Sequence, residues 1–340
     1  MIIVSHLDRP EKRDKEHSLK IVIDRLQSYL PGTNVKLVDD FLTEDKKTFI
    51  NQKANEVLVL ENIRFYPEEE DDDAEFSKKL ASLADVYVND AFAVSHRTSS
   101  SIIGVPSFIP AYGGLLLKTE IKMIGGVIEN PKRPLVVIIG GAKISTKINL
   151  IKKLVAVADY VLLGGRLANV FFCAQKQPIG NSGCEYEMIQ QVKQIMHYPN
   201  KKHASIVLPT DAVIGDPKDM KSGGVVKRIG EDIPANLSIL DIGPETKAKF
   251  GALIAKAKTI VWNGPVGLFE NPHYRQGTDF IYYSIAHNSE AVSVLGGGNT
   301  LDAISKKEYL SHITHISTGG GAMLEFIENG TLPGIEALKK

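Results

Sequence analysis

The chain has 340 residues, and its 40 Lys and Arg residues balance its 40 Asp and Glu residues, so its formal net charge is zero. This balance excludes a global attraction to nucleic acid or to an anionic membrane, so any anion must be bound by a local group of cations. Hydrophobic residues make up 43% of the chain, and no apolar run approaches the ~20 residues of a membrane-spanning helix. Only two cysteines, and a start without a basic leader or an apolar signal segment, predict a cytoplasmic protein.

The first third of the chain alternates apolar strands with amphipathic helices, a pattern typical of parallel α/β architecture. We predict strands at residues 2–4, 35–38, 57–60 and 86–88. We predict helices at residues 18–30 and 74–84, where apolar residues recur at spacings of three and four. Residues 57–60 are continuously apolar, which predicts a strand covered on both faces.

A helical stretch without a strand of its own runs from residue 115 to 130, and Pro131 and Pro134 then punctuate the chain. Length favours about two domains, so we place the division here. The predicted organisation is a first lobe at residues 1–114, a connecting helix and hinge at 115–134, a second lobe at 135–321 and a tail at 322–340 that carries one more helix.

The second half of the chain runs five times from an apolar strand directly into a glycine-rich turn. These strands are predicted at residues 135–139, 160–163, 259–261, 292–295 and 315–317. Open α/β sheets bind ligands beyond the carboxyl ends of their strands, and glycine lets backbone N–H groups approach a phosphate closely. Five such turns predict a large phosphate-bearing ligand laid across one sheet.

In the first third, cations stand at the ends of the predicted strands. His6 and Arg9 follow the first strand, Arg64 follows the third and Arg97 follows the fourth. The ends of parallel strands share one edge, so we predict that these side chains converge on one crevice. Guanidinium groups there would bind carboxylate or phosphate through paired hydrogen bonds. The alternative is that each arginine forms a surface or interdomain ion pair.

Two lysines follow Gly140 and Gly141 at a spacing of four, which predicts that Lys143 and Lys147 share one face of a helix opening there. Lysine at a helix N-terminus opposes the macrodipole, so this placement favours binding of a nucleotide's terminal phosphates over two solvated lysines. The turn is neither a Walker loop nor a dinucleotide fingerprint. The protein-kinase motifs, zinc-ligand spacing and the G-x-S-x-G elbow are also absent from the sequence.

The most specific string is Trp-Asn-Gly-Pro-Val-Gly-Leu-Phe-Glu at residues 262–270. Its apolar and glycine surface suits the base of a nucleoside, and the carboxylate of Glu270 suits ribose hydroxyls. The alternative is a strand end that packs an aromatic side chain.

Together these strings resemble the phosphoglycerate kinase family over the length of the chain. In the first lobe the resemblance lies in residues 5–10 (Ser-His-Leu-Asp-Arg-Pro), 60–65 (Leu-Glu-Asn-Ile-Arg-Phe) and 89–92 (Asn-Asp-Ala-Phe). In the second lobe it lies in residues 140–143 (Gly-Gly-Ala-Lys), 241–244 (Asp-Ile-Gly-Pro), 262–270 and 317–322 (Ser-Thr-Gly-Gly-Gly-Ala).

The resemblance implies two doubly wound, Rossmann-like parallel-sheet lobes joined by a helix. The first lobe would bind 3-phosphoglycerate, and the second would bind ATP or ADP with Mg²⁺. The implied reaction is reversible phosphoryl transfer from 1,3-bisphosphoglycerate to ADP in glycolysis, by a monomer without nucleic-acid or membrane partners. The lobes would close to bring the reacting atoms to roughly 3–3.5 Å.

The resemblance also assigns site residues. The substrate-binding residues would be His6, Leu7, Asp8, Arg9, Arg64 and Arg97. The nucleotide-binding residues would be Gly141, Lys143, Lys147, Gly164, Gly165, Asn263, Pro265, Glu270, Gly297, Gly298, Asn299 and Thr300. Lys143 and Arg9 would be catalytic, and Asn299 would stand near the metal, where the family has Asp.

Four departures from the family pattern leave an alternative open. The family has a first strand before the point that matches Met1, and Asn299 is a weaker partner for Mg²⁺ than a carboxylate. Arg166 replaces a third glycine and would be strained at positive φ, and Asp8 replaces a glycine and adds a negative charge. The alternative is a truncated or degenerate relative that binds nucleotide but is weakly active or inactive.

Overall fold

The computed structural model describes residues 1–197 and 204–339, with Asn299 described by its backbone alone. The chain forms two compact units, one made of Met1–Leu117 with the residues from Leu332 onward and the other of Lys118–Thr331. The units divide the chain close to the predicted boundaries, although residues 322–331 lie in the second unit. The assignment of a function to each predicted domain stays a prediction.

The strands are β1 Ile2–Ile3, β2 Asn34–Val38, β3 Glu56–Leu60, β4 Tyr87–Asn89, β5 Ala111–Gly113, β6 Leu135–Ile139, β7 Tyr160–Leu163, β8 Ser205–Val207, β9 Asp211–Gly215, β10 Val225–Arg228, β11 Ser238–Ile242, β12 Thr259–Asn263, β13 Val292–Gly296 and β14 His315–Ile316. The helices are α1 Lys20–Tyr29, α2 Lys46–Ile50, α3 Pro67–Glu70, α4 Ala74–Ala81, α5 Leu115–Glu129, α6 Ile148–Val157, α7 Ala168–Ala174, α8 Ile189–Met196, α9 Pro244–Lys256, α10 Gln276–Ala286, α11 Gly298–Asp302, α12 Gly320–Asn329 and α13 Pro333–Glu336. No helix among the described residues is long and apolar enough to cross a membrane.

The first unit contains a parallel sheet with strand order β1-β3-β2 and helices on both faces. Val57 and Val59 of β3 pack on one face with Leu19 and with α1. Leu58 and Leu60 pack on the other face, in the cluster that contains α4. All five residues of β3 are buried, which confirms the prediction of a strand covered on both faces. Strands β4 and β5 form a separate parallel pair.

The second unit contains a six-stranded parallel sheet with strand order β14-β13-β12-β6-β7-β8. The two central strands, β6 and β12, are buried at every position. Trp262 of β12 packs with Phe250 and Ile254 of α9 and with Ile281 and Ile285 of α10 in the core on one face of the sheet. The five strands predicted before glycine turns are all present in this sheet, with ends that differ by one or two residues.

Strands β9, β10 and β11 form a smaller antiparallel sheet that the sequence analysis did not predict. Three of the four residues of β10 are exposed, so the strand lacks an apolar pattern, and the pairing of β11 shifts register between Ile239 and Asp241. This sheet presents Asp211, whose buried carboxylate accepts hydrogen bonds from the backbone of Glu245 at 2.9 Å and of Thr246 at 2.7 Å. A carboxylate therefore satisfies the free N–H groups in the first turn of α9.

The core of the second unit should depend on β12 more than on its edge strands. We expect Val261→Ala to lower the free energy of unfolding by about 2–3 kcal/mol, because Val261 is only 2% exposed and the lost methyl groups leave a cavity. Val225→Ala on β10, at 61% exposure, should change it by less than about 0.5 kcal/mol. Urea unfolding followed by the fluorescence of Trp262, the single tryptophan, measures both. Equal losses in the two variants would contradict this assignment of the core.

Candidate functional site

The predicted cations of the first unit lie together around His6. Burial lowers the pKa of His6, and the charges of Arg64, Arg9 and Arg97 lower it further, so all three guanidinium groups lie near the imidazole. Burial and the charges of Arg9 and Arg97 likewise lower the pKa of Arg64, against a raising effect of Glu70. These side chains lie near one another, but only His6, Arg9 and Arg64 follow strands of one sheet, because Arg97 follows β4 of the separate strand pair.

These three arginines have no carboxylate partner among the residues that the structure describes. The salt-bridged arginines there are Arg13, Arg133, Arg228 and Arg275. Like charges held together without counter-ions raise the electrostatic free energy of the empty site, and a bound anion relieves it. The described contacts therefore do not support the ion-pair alternative and favour an anion site.

The loop that carries Leu7 and Asp8 is held against the end of β3 by hydrogen bonds. Asn62 donates from Nδ2 to the carbonyl oxygen of Leu7 at 2.8 Å, and Arg64 donates from Nη1 to that of Asp8 at 2.6 Å. Asn62 and its neighbour Glu61 are both buried, and Glu61 accepts from the backbone N–H of Leu19 at 2.7 Å. The sequence analysis quoted these two residues as part of a motif but did not recognise that they position the loop.

Asp8 adopts φ +52, in the left-handed region that favours glycine. Aspartate is one of the residues that enter this region at modest cost, so the loop keeps its shape without the family's glycine. The charge of Asp8 is the smallest of the influences on the pKa of His6 and raises it. Asp8 therefore weakens the positive character of the site only slightly.

In the second unit, the loops after β6, β7 and β12 pack backbone against backbone. Gly141 donates from its N–H to the carbonyl oxygen of Pro265 at 2.8 Å, and Gly165 donates to that of Val266 at 3.0 Å. Gly165 has φ +67, and a β-carbon there would lie 2.8 Å from the nitrogen of Gly141. A β-carbon on Gly164 would lie 2.7 Å from the side chain of Val266, which packs over this glycine. Glycine is therefore required where these loops cross.

Lys147 lies at the centre of this crossing. Its Nζ donates to the carbonyl oxygen of Gly140 at 2.7 Å and to Oδ1 of Asn263 at 2.6 Å. Thr300 joins the same group, because its Oγ1 accepts from the N–H of Gly264 at 2.7 Å, and Gly297 beside it has φ +106. Burial lowers the pKa of Lys147 to about 8.

The prediction that Lys143 and Lys147 share one face of a helix is wrong. Helix α6 begins at Ile148, so Lys147 caps the helix and Lys143 lies exposed in the turn before it. The carboxylate of Glu185 accepts the N–H of Ile144 at 2.6 Å and that of Ser145 at 3.2 Å, which holds the turn before α6 in place.

A cavity of about 450 Å³ opens beside the crossing, a volume within the range of small-molecule pockets. Four of the predicted nucleotide-binding residues line it, namely Gly141, Gly165, Pro265 and Glu270. Its remaining walls include Phe172, Ile239, Leu240, Val266 and Leu268. Four other predicted residues lie outside the cavity, in the group around the ammonium of Lys147: Lys147 itself, Asn263, Gly297 and Thr300. Gly298 begins α11, and the side chain of Asn299 lies outside the described residues.

The sequence analysis missed one wall of the cavity, which comes from α7, from the loop 181–183 and from β11. Asp241 of β11 belongs to a motif that the analysis quoted without assigning its residues. Burial raises the pKa of Asp241 to about 7, while its carboxylate accepts the N–H groups of Gly277 at 2.7 Å and of Ile242 at 2.9 Å. Arg166, expected to be strained at a positive φ, is not among the residues with positive φ.

Glu120 fixes the last glycine loop of the second unit. Fully buried on α5, it accepts hydrogen bonds from Nε2 of His315 at 2.7 Å and from the N–H of Thr318 at 2.7 Å. Burial acts to raise the pKa of Glu120, but these hydrogen bonds hold it below its ordinary value. The carboxylate therefore stays charged and anchors the turn that follows β14.

Occupation of the cation group by an anion should raise the pKa of His6. The free imidazole should titrate below 6.5, and inorganic phosphate or 3-phosphoglycerate should shift its pKa upward by offsetting the charges of the arginines. Proton–nitrogen NMR of the imidazole groups measures this shift, with His287 of the second unit as the internal control. A pKa of His6 that is insensitive to both anions would argue against the site.

The charge of Lys147 should make nucleotide affinity depend on pH. Above a pKa of about 8 the free ammonium loses its proton, so we expect the dissociation constant for ADP to increase as the pH rises beyond that value. Lys147→Met should weaken binding about tenfold at pH 7 and flatten the profile above pH 8. Isothermal titration calorimetry measures both, and Lys153→Met, at an exposed position of the same helix, is the matched control. A variant that keeps the slope of the parent protein would contradict this role.

Comparison with known proteins connects this geometry to one family. The family model for phosphoglycerate kinase matches residues 1–330. The chain is 43% identical to the phosphoglycerate kinase of Dictyoglomus turgidum, over 100% of this chain and 85% of that protein. It is 40% identical to the enzyme of the same name from Wolbachia pipientis wMel, over 100% of this chain and 86% of that protein.

Solved structures give the same result. Phosphoglycerate kinase from Coxiella burnetii aligns with a TM-score of 0.87 and 38% identity, over 99% of this chain and 85% of that one. The structure from Pyrococcus horikoshii OT3 aligns with a TM-score of 0.83 and 30% identity, over 99% of this chain and 86% of that one. Sequence and fold agree, and the chain belongs to the phosphoglycerate kinase family.

Proposed function

We propose that the chain catalyses reversible phosphoryl transfer between 1,3-bisphosphoglycerate and ADP, which gives 3-phosphoglycerate and ATP. The observation that carries this proposal is the group of Arg9, Arg64 and Arg97 around His6, without salt bridges among the described residues. 3-Phosphoglycerate bears one carboxylate and one phosphate, and guanidinium groups bind both through paired hydrogen bonds. Membership of the family supplies the reaction.

The second unit offers a matching site for the nucleotide. The cavity, with its apolar walls, would hold the base, and Glu270 at its exposed rim would accept hydrogen bonds from the ribose hydroxyls. The phosphates would lie toward Lys147, Gly297 and Thr300, where a cation and backbone N–H groups are available.

The chemistry requires positioning and positive charge and no protein nucleophile. In phosphoryl transfer the charge spreads over the equatorial oxygens, and fixed cations stabilise it. Arg9 and Lys143 are exposed, and no described residue forms a salt bridge with either, so both ends are free to contact the transferring group. Both residues are therefore proposed as catalytic.

Magnesium would arrive with the nucleotide, since proteins bind this ion through one or two oxygen ligands together with substrate phosphates. Among the described residues, no group of three or more His, Cys, Asp or Glu forms a metal cage. The amide oxygen of Asn299 suits a hard cation as a ligand but carries no charge, so it would hold the metal more weakly than aspartate. The bound ion would neutralise charge on the phosphates.

The proposal includes a monomeric, cytoplasmic enzyme with small-molecule partners, as its glycolytic role implies. Nothing in the relatives or in the two described sites favours the alternative of a degenerate, inactive protein.

A coupled assay tests the function directly. With glyceraldehyde-3-phosphate dehydrogenase and NADH, turnover should require both ATP and 3-phosphoglycerate. Arg97→Ala should raise the KM for 3-phosphoglycerate about tenfold or more, because a charge-assisted hydrogen bond is lost. Arg25→Ala on α1, where the guanidinium stacks on Tyr29, is the matched control and should leave this KM unchanged. ADP binding without turnover at saturating substrates would support the degenerate alternative instead.

A further inference from the structure

Arg166 occupies a wall of the nucleotide cavity, at a position where the family pattern has a small residue. It follows Gly165 at the carboxyl end of β7, and its side chain is exposed toward the cavity that it lines. A β-carbon on Gly183 would overlap the guanidinium group, so the planar head of Arg166 lies directly against this glycine. Arginine and glycine together therefore form one side of the cavity.

The surface under the guanidinium is fixed in place. Asn169 donates from Nδ2 to the carbonyl oxygen of Gly183 at 3.2 Å. Ser182 accepts the N–H of Ile239 at 2.8 Å, and Asn181 donates from its N–H to the carbonyl oxygen of Leu237 at 2.7 Å. The loop is thus tied to α7 and β11, so the surface against which Arg166 lies is set before any ligand binds.

Two polar groups on this wall, the guanidinium of Arg166 and Oδ1 of Asn169, lack hydrogen-bond partners among the described residues. Across residues 1–197 and 204–339, no hydrogen bond or salt bridge involves the guanidinium of Arg166. The Oδ1 atom of Asn169, a residue only 1% exposed, also has no hydrogen-bond donor among the described residues. A buried polar atom such as Oδ1 of Asn169 is costly to leave unpaired, and the exposed guanidinium of Arg166 is free to pair with a ligand.

Arg166 lines the same cavity as several apolar side chains. Phe172 of α7 and Ile239 and Leu240 of β11 line the cavity with Arg166, whereas Lys147 and Thr300, the proposed phosphate contacts, lie outside it. A partly apolar cavity that contains a planar cation is suited to a heteroaromatic ring rather than to a phosphate.

We propose that Arg166 contacts the edge of the purine base and shifts nucleotide preference toward 6-oxopurines such as guanine; this inference rests on the proposed function. A guanidinium has five donors and no acceptor. Guanine presents two adjacent acceptors, O6 and N7, whereas adenine presents N7 beside the donor N6. Arg166 therefore pairs with both acceptors of guanine but meets a donor on adenine.

The test compares ADP and GDP in the parent protein and in Arg166→Gly, which restores the family residue. Calorimetric dissociation constants and coupled-assay KM values are measured for both nucleotides. We expect the variant to shift the ratio of GDP affinity to ADP affinity toward ADP by about fivefold or more, since bidentate arginine–guanine pairing discriminates by at least that factor. A structural disturbance would weaken both nucleotides equally and leave the ratio unchanged.

Three further variants locate the effect. Arg166→Lys keeps the charge but lacks the planar fork, so it should also lose the preference. Gly183→Ala should displace the guanidinium and shift the ratio in the same direction. Lys176→Ala removes an exposed cation just beyond α7 and should leave the ratio unchanged.

An unchanged ratio in Arg166→Gly, or an equal loss for both nucleotides, would overturn the inference while leaving the kinase function intact. If neither nucleotide binds the parent protein, or no turnover of 3-phosphoglycerate occurs, the proposed function itself fails. The two failures are therefore distinguishable.

Discussion

The second unit depends on three loops that cross one another through their backbones, after β6, β7 and β12. Gly140 donates from its N–H to the carbonyl oxygen of Asn263 at 2.9 Å. Gly141 and Gly165 likewise donate to carbonyl oxygens of the loop after β12. A side chain at these crossings would meet main-chain atoms, which cannot move aside as a flexible side chain can. Close backbone packing leaves carbonyl oxygens that need a donor, and the ammonium of Lys147 supplies one. The cation therefore has a structural role in the free protein.

In the first unit the electrostatic situation is the opposite, because the arginines around His6 are left without carboxylate partners among the described residues. Its carboxylates at this edge bind backbone groups rather than cations: Glu61 accepts from Leu19 and from its own neighbour Asn62, and Glu69 accepts from Ser101. Among the described residues these acids form no salt bridge with the arginines, although the charges of Glu70 and Glu69 act on Arg64 and raise its pKa. The positive charge around His6 remains available for a substrate anion, and the resulting repulsion is the energetic cost of a site built before its ligand arrives.

Carboxylates perform the same task in the second unit, where those of Asp211, Asp241 and Glu120 are buried and that of Glu185 is half-buried. Asp211 caps α9, Asp241 holds the N–H of Gly277, Glu120 holds the turn at Thr318, and Glu185 holds the turn before α6. Asp211, Glu120 and Glu185 fix backbone N–H groups that follow strands, and Asp241 fixes the N–H of Gly277 in α10. The loops of the proposed nucleotide site are therefore held in place mainly by acidic residues that are not among the proposed ligand contacts.

The sequence by itself determined the parallel α/β architecture, the five strand-to-glycine junctions and the convergence of His6 with Arg9 and Arg64. Hydrophobic periodicity and the residues of turns are local features of the sequence, and parallel strands end at the same edge of a sheet. These features can therefore be recognised without coordinates. Only the tertiary structure decided that α6 begins at Ile148, that the antiparallel sheet supplies a cavity wall, and that Arg166 lies on Gly183. These features depend on contacts between segments far apart in the chain, such as Glu185 with Ile144, and no local pattern encodes such pairings.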